Sequence, residues 1–135
     1  MRARAFRPDA VLSLISPGKE ALRFEARSSC CGWRTSRTTA PAPPTAAHAT
    51  LISTFLAASA KRVAIHCHAG VSRSTAAALA LLHLRGLPPK ALAPTLQAIR
   101  PQARSNRRLA YLLDHVLGLP GTIFAAVLHS PLLTA

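Results

Sequence analysis

Residues 66–75 read His-Cys-His-Ala-Gly-Val-Ser-Arg-Ser-Thr, and this stretch decides the predicted fold. The apolar run Val63-Ala64-Ile65 precedes it, and an alanine- and leucine-rich segment follows it. A short apolar run of this kind indicates a buried strand, and the segment after it indicates a helix that begins at Ser74 or Thr75. The sequence therefore predicts a strand, a short glycine-bearing loop and a helix in direct succession.

The predicted loop carries a thiol and a guanidinium six residues apart, at Cys67 and Arg73. A loop that turns into a helix N-terminus points backbone N–H groups at one place, where the helix dipole adds positive potential. Gly70 lets the backbone approach an anion closely, and the arginine matches two phosphate oxygens. The pKa of a thiol at such a place falls from about 8.5 to roughly 3.5–7.5. The pattern thus predicts a phosphate-binding loop with a thiolate nucleophile.

This segment resembles the active-site loop of the cysteine-based protein tyrosine and dual-specificity phosphatases. The resemblance implies that Cys67 is the nucleophile, that Arg73 holds the phosphate through the transition state, and that Ser74 is the hydroxyl beside the departing thiolate. The implied reaction is hydrolysis of a phosphate monoester through a phosphocysteine intermediate, with no metal and no cofactor. The implied phosphate-binding residues are His68, Ala69, Gly70, Val71, Ser72 and Arg73.

A second stretch extends the resemblance to roughly residues 46 to 118. The run Ser105-Asn106-Arg107-Arg108-Leu109 is similar to the Pro-Asn-x-x-(apolar) segment of the small phosphatases, with Ser105 in place of the proline. In that family the asparagine opens a helix and supports the active-site loop, which implies the same for Asn106. His66 is predicted to support the loop by a hydrogen bond to the cysteine backbone.

The segment from residue 24 to residue 45 departs from the pattern, because it has neither the strand nor the helix period. The family carries there a strand and then a mobile loop with an Asp that protonates the leaving oxygen. No Asp or Glu lies between Glu25 and Asp114, so Glu25 and Asp9 are the substitutes that the sequence offers.

Two explanations of this departure stay open. Either the chain is a degenerate member that has lost the acid, or its reading frame is disturbed between about residues 24 and 45. Translating the other two frames would test the second explanation. The chain is also expected to lack the family's first strand or two.

Composition favours one domain over residues 1–135, half of which are apolar. Three cysteines argue against a disulfide scaffold and for a reducing, cytoplasmic location. No run is long enough to span a membrane. The arginine-rich start at residues 1–7 is similar to a transit peptide but has no cleavage signature, so a transit peptide is not expected. The net charge of +13 favours anionic partners, or it reflects a bias towards arginine and alanine in the genome.

Strands that alternate with helices predict an α/β fold with a mainly parallel sheet and helices packed around it. Pro94 is expected to break a helix that Pro88 and Pro89 open, and Asn106 is expected to cap a helix that ends at Gly118. The apolar tail, residues 119–135, packs on the body, dimerises or stays loose, and the oligomeric state is open. The predicted elements are a strand at 10–15, a helix at 46–59, a strand at 62–66, a helix at 74–85 and a helix at 107–117.

The predicted substrate is a phosphorylated protein, with phosphotyrosine foremost, or a small phosphate ester. Residues 68–72 contain no lysine of the kind that inositide phosphatases often carry, which favours phosphoproteins. Tyrosine-only and dual specificity are not distinguished.

Other functions stay open beside this one. They are a pseudophosphatase that binds phosphorylated ligands, a basic nucleic-acid-binding protein without a recognisable module, and a rhodanese-like sulfur transferase. His68, His83 and His115 lack the spacing of zinc ligands, so no metal site is predicted. One of Cys30 and Cys31 is a candidate to protect Cys67 as a disulfide.

Overall fold

The structure is a computed structural model that describes residues 10–14, 27–30, 45–58, 62–67 and 72–129. The described part is an α/β arrangement rich in helix. Its elements in chain order are β1 (Ala10–Leu14), β2 (Arg27–Cys30), α1 (Ala46–Ala57), β3 (Val63–Cys67), α2 (Arg73–Leu84), α3 (Pro89–Ile99), α4 (Arg107–Leu117) and α5 (Thr122–Leu128).

The three strands form one sheet in the order β2-β1-β3. Both neighbours run parallel to β1, and the register with β3 ends where Leu14 lies opposite Cys67. Ala10, Leu12 and Leu14 lie on one face of β1, and all three are buried in the core. The carboxyl ends of β1 and β3 therefore lie side by side.

Helix α2 lies at the centre of the helical part and contacts α1, α3, α4, α5 and β3. The four residues from Ser74 to Ala77, near the start of α2, are all buried. They are small, so neighbouring elements can approach the helix closely. The core around it is made of aliphatic side chains from the sheet and all five helices. Its largest fully buried members are Leu12, Leu14, Ile52, Leu79, Leu92, Leu96, Leu109, Leu113 and Ile123.

The prediction for α4 is confirmed at both ends. The Asn106 side chain accepts a hydrogen bond from the Leu109 N–H at 2.9 Å, as an N-cap residue does. The helix ends at Gly118, whose φ of 71° lies in the left-handed region that glycine adopts without a Cβ penalty.

The prediction that Pro94 breaks its helix is wrong, because α3 runs without interruption from Pro89 to Ile99. Pro88 and Pro89 do open this helix, as N-cap and first residue. An internal proline removes one backbone hydrogen bond. Pro94 is exposed, whereas Leu92 and Leu96 are buried against the core. Burial of this apolar face holds the helix together across the missing bond.

The prediction that residues 24–45 are irregular is wrong at Arg27–Cys30, which form β2. This strand pairs with β1 from Ala10↔Arg27 to Ser13↔Cys30. Pairing with a central strand supplies backbone hydrogen bonds whatever the side-chain pattern, so a short strand can form without an apolar alternation. Residues 24–26 and 31–44 lie outside the described residues.

Three alternatives were open for the tail at residues 119–135. The structure shows that α5, which lies in this tail, packs on the body of the protein. Ile123 and Val127 are buried in the common core. The Tyr111 and Phe124 rings also meet edge to face, with centroids 6.0 Å apart. Residues 130–135 lie outside the described residues. Among the helices that are described, none has the length and apolar character needed to cross a membrane.

Candidate functional site

The predicted nucleophile and the predicted phosphate-binding arginine lie at the ends of two consecutive elements. Cys67 is the last residue of β3, and Arg73 is the first residue of α2. Ser72 is the N-cap residue of α2, Ser74 is its buried second residue, and His66 lies half-buried in β3. His68, Ala69, Gly70 and Val71 lie outside the described residues, so their part in phosphate binding stays a prediction.

The Ser72 carbonyl oxygen accepts three hydrogen bonds. The Thr75 hydroxyl donates at 3.0 Å and the Ala76 N–H at 3.2 Å, both from within α2. The third donor is the Asn106 N–H, at 3.1 Å. This last bond joins the N-cap residues of α2 and α4, so the two helices begin side by side.

A buried hydroxyl extends this junction. The Ser105 Oγ–H donates to Thr75 Oγ1 at 3.0 Å, and Thr75 in turn donates to the Ser72 carbonyl. Ser105 and Thr75 are 3% and 4% exposed, so both hydroxyls are shielded from competing water. Asn106 and Ser105 therefore each link the start of α4 to the start of α2, and the supporting role of Asn106 stays a prediction.

Arg73 is half-buried at the first position of α2, and its Nη1 atom is closed off from solvent. The first turn of α2 contains no acidic residue, and the Ser72 side chain makes no capping hydrogen bond. Positive potential from the helix N-terminus and from the guanidinium therefore adds up at one place.

A third helix begins within electrostatic reach of Arg73. Thr45 and His48 form a reciprocal cap on α1: the Thr45 N–H donates to His48 Nδ1 at 3.1 Å, and the His48 N–H donates to Thr45 Oγ1 at 3.4 Å. Partial burial lowers the pKa of His48, and the positive charge of Arg73 lowers it further. The charge of Arg73 therefore acts on the first turn of α1 as well.

None of the five described helices contains an acidic residue in its first turn, and this holds for α1, α2 and α4. Basic side chains stand there instead, at His48, Arg73, Arg107 and Arg108. Helix N-termini ordinarily favour Asp or Glu, because their dipoles are positive at that end. Three such ends with basic side chains make this side of the molecule suited to an external anion.

Asp114 is the one acidic residue in the described ranges, and it does not serve this site. It is 3% exposed, and its two carboxylate oxygens accept the Ile123 and Phe124 N–H groups, each at 2.8 Å. It therefore caps α5. Glu25 and Asp9, the substitute acids that the sequence offers, lie outside the described residues.

Within the described ranges, no group of three His, Cys, Asp or Glu residues could hold a metal ion. Cys30 is the last residue of β2, whereas Cys31 lies outside the described residues, so protection of Cys67 by a disulfide stays a prediction.

Sequence reasoning missed Thr75 and His48 as parts of this site. Thr75 carried a usable signal, because a threonine three residues after an N-cap can bond back to that residue's carbonyl. The run Thr45-x-x-His48 has the spacing of a capping box, but with His where Glu or Gln is usual. The bond between Ser105 and Thr75 joins residues thirty positions apart, and no local pattern predicts it.

Comparisons with known proteins agree with this architecture at the level of the fold. No protein-family model matches the chain, and no curated protein matches it significantly. Among solved structures, the chain is similar to the crystal structure of Tk-PTP in the active form, with a TM-score of 0.57 and 22% sequence identity. The alignment covers 84% of this chain and 80% of that chain. The chain therefore has a fold like that of a protein tyrosine phosphatase.

Proposed function

We propose that this chain hydrolyses phosphate monoesters, with protein phosphotyrosine as the preferred substrate, through a phosphocysteine intermediate on Cys67. One observation carries the proposal. Cys67 ends β3 and Arg73 begins α2, in a fold similar to that of Tk-PTP. In this proposal the Cys67 thiol and the Arg73 guanidinium share the N-terminus of α2, which stabilises both the thiolate and a bound phosphate.

The proposed reaction has two steps. In the first, the Cys67 thiolate attacks phosphorus, an S–P bond forms, the ester P–O bond breaks, and the leaving oxygen takes a proton from solvent water. In the second, water attacks phosphorus, the S–P bond breaks, and inorganic phosphate leaves. Arg73 and the backbone N–H groups of the 68–73 loop hold the equatorial oxygens in both steps, and the Ser74 hydroxyl donates a hydrogen bond to the departing thiolate.

The leaving group decides which substrates react. The described residues offer no carboxyl group for the proton transfer, since Asp114 caps α5. Loss of general acid catalysis costs about 10²–10⁴-fold in rate, and the loss is smaller for a phenolate than for an alkoxide. The proposal therefore favours phosphotyrosine and other aryl phosphates over phosphoserine and phosphothreonine.

The test compares aryl phosphate hydrolysis by the wild type, Cys67→Ser and Cys31→Ser. Cys67→Ser removes the nucleophile, whereas Cys31→Ser is the matched control with the same chemical change elsewhere. We expect the rate to fall to background in Cys67→Ser only. Equal rates in the wild type and Cys67→Ser would contradict the proposal.

A pseudophosphatase is the second candidate, favoured because the one carboxyl group among the described residues, that of Asp114, caps α5 and is not available for proton transfer. It would bind a phosphorylated ligand through Arg73 and the loop without turnover. Phosphotyrosine binding by the wild type that Arg73→Ala abolishes, together with no hydrolysis of any aryl phosphate, would select this candidate over the enzyme.

A further inference from the structure

We propose that a groove between α3 and α5 binds a small organic anion with an apolar body. This α3–α5 groove is lined by residues of α3 between Pro89 and Gln97, and by residues from Thr122 in α5 to its C-cap residue His129. None of the residues that line it belongs to the proposed phosphate site, so the inference goes beyond the proposed function.

The apolar part of the groove is made of small residues. Ala93 and Pro94 contribute from α3, and Ala125 and Ala126 contribute from α5. The two helices contact each other, and their larger aliphatic side chains turn into the core instead. The small residues leave a volume of about 580 Å³ between the helices. Sites for small molecules enclose about 300–1,000 Å³ and are mostly apolar, so the groove has the size and lining of such a site.

Four polar side chains border this apolar lining, those of Lys90, Gln97, Thr122 and His129. None of these four side chains makes a hydrogen bond or an ion pair with another residue in the described ranges. Their polar groups therefore contribute nothing to the packing of α3 on α5, and all four remain open to a molecule in the groove. A few polar groups around an apolar surface are what orients a ligand in such a site.

Charge indicates that the ligand is an anion. Lys90 brings a positive charge to the groove, and no Asp or Glu lines it. Asp114 is the one acid in the described part of the chain, and its carboxylate is buried and bonded to the first turn of α5. An anionic group on the ligand would supply the partner that this ammonium lacks there. The net charge of +13 favours the same sign of ligand.

The length of the groove favours a small molecule over a protein partner. At 1.5 Å per helical residue, the lining segments Pro89–Gln97 and Thr122–His129 are about 12 Å and 11 Å long. A partner helix of average length, about 11–12 residues, spans about 17 Å and would extend beyond the groove. An extended peptide would place only about three or four residues in it.

The experiment is an NMR titration of the ¹⁵N-labelled protein with octanoate, a carboxylate with an apolar chain. Octanol, which lacks the charge, is the matched ligand. Lys90→Gln removes the charge from the groove, and Arg85→Gln removes an exposed positive charge outside it. Ala126→Leu fills the apolar lining, with Ala125→Leu in its place if that protein does not fold. Ala98→Leu adds the same side chain at an exposed position of α3 outside the groove.

We expect octanoate to shift the amide signals that line the groove on α3 and α5. It should bind about three- to fivefold more tightly than octanol at low salt, because an exposed ion pair contributes up to a factor of about five. Lys90→Gln should abolish this difference, and added salt should reduce it. Ala126→Leu should weaken both ligands by about tenfold or more, since the added side chain occupies their space. Arg85→Gln and Ala98→Leu should bind both ligands as the wild type does.

The inference would be overturned in any of three ways. Equal affinities of the wild type for octanoate and octanol would contradict an anion site. Shifts confined to the start of α2, or equal losses in Ala126→Leu and Ala98→Leu, would show that octanoate does not bind in the groove. An acidic helical peptide that shifts the groove signals when octanoate does not would assign the groove to a protein partner. None of these results depends on phosphatase turnover, so the proposed function is tested separately.

Discussion

The N-termini of α5 and α2 both have the positive potential of a helix dipole, but the two ends differ in the charges that stand beside them. At α5, the buried Asp114 carboxylate accepts two backbone N–H groups at 2.8 Å each, so the protein supplies its own anion. At α2, the Ser72 side chain makes no capping bond, the first turn has no acid, and Arg73 adds further positive charge.

The difference separates a helix end that is capped by an internal carboxylate from one that is not capped by a side chain of its own N-cap residue. An internal carboxylate stabilises the fold and leaves no place for an external anion. A helix end without one costs stability in the free protein and gains it when an anion binds. The two largest expected effects act on these two helix ends and test the contrast directly, and the smaller ones act on Ser105 and His48.

The largest expected effect is at α2. Arg73→Ala should lower aryl phosphate turnover by about 10²- to 10³-fold, the usual loss when one strong anion donor leaves a catalytic site. It should also abolish stabilisation by tungstate, a phosphate mimic, in thermal melts. The matched change Arg85→Ala, at the other end of α2, should leave both measurements unchanged. Equal effects of the two substitutions would contradict an anion site at the N-terminus of this helix.

The reverse pattern is expected at α5. Asp114→Ala removes two charge-assisted hydrogen bonds and leaves two backbone donors without their acceptor, at a cost of about 3–5 kcal/mol in the free energy of unfolding. Urea denaturation measures this loss. Tungstate affinity below the unfolding transition should stay that of the wild type, and Asp114→Asn should lose about half as much stability. A large loss of anion affinity with little loss of stability would reverse the two assignments.

A smaller effect is expected at the junction of α2 and α4. Ser105→Ala removes the bond to Thr75 and should cost about 1 kcal/mol of unfolding free energy. Ser105→Thr keeps the hydroxyl and should therefore retain most of the unfolding free energy that Ser105→Ala loses. The control Ser53→Ala removes a hydroxyl that bonds within α1 and should change little. A Ser105→Ala protein as stable as the wild type would show that this buried bond does not support the junction.

The smallest effect concerns pH. The pKa of His48 lies below its ordinary value of 6.5, mainly through burial and also through Arg73. The unfolded chain therefore binds this proton at a higher pH than the folded chain does. Stability that is fully present above pH 6.5 is lost as the pH falls through the folded pKa.

His48→Gln keeps an acceptor for the Thr45 N–H and should flatten the pH dependence of the urea midpoint below pH 6.5. The exposed His115 provides the matched control, His115→Gln, which should keep the wild-type slope. If His48→Gln leaves the pH dependence of the urea midpoint unchanged, the titration of His48 does not contribute to stability in this pH range.

The sequence predicted the parts of the fold that depend on local signals. The N-cap at Asn106 and the end of α4 at Gly118 depend on local sequence signals, and the structure has both at the predicted residues. The prediction of a helix break at Pro94 was wrong. Burial of Leu92 and Leu96 is a tertiary effect, and it outweighs the loss of one backbone hydrogen bond. β2 was missed because its pairing with β1 does not require an apolar pattern.

The residues of the candidate site also fall into two groups: those that a local sequence signal predicts, and those that only the packing of the helices brings together. Cys67 and Arg73 stand out in the sequence because their chemistry is tied to a fixed spacing along the chain. The Ser105–Thr75 bond and the nearness of His48 to Arg73 arise only when α1, α2 and α4 pack together. The role of Asp114 also needed the structure, since its partners belong to the following helix.

The central claim is that Cys67 carries the phosphoryl group during turnover. Rapid acid quench of the wild type with an activated aryl phosphate, followed by mass spectrometry of the peptides, tests this directly. The account predicts a burst of aryl alcohol and one phosphoryl group on the peptide that contains Cys67, both absent in Cys67→Ser. Turnover without a burst, or a phosphoryl group on any other residue, would contradict it.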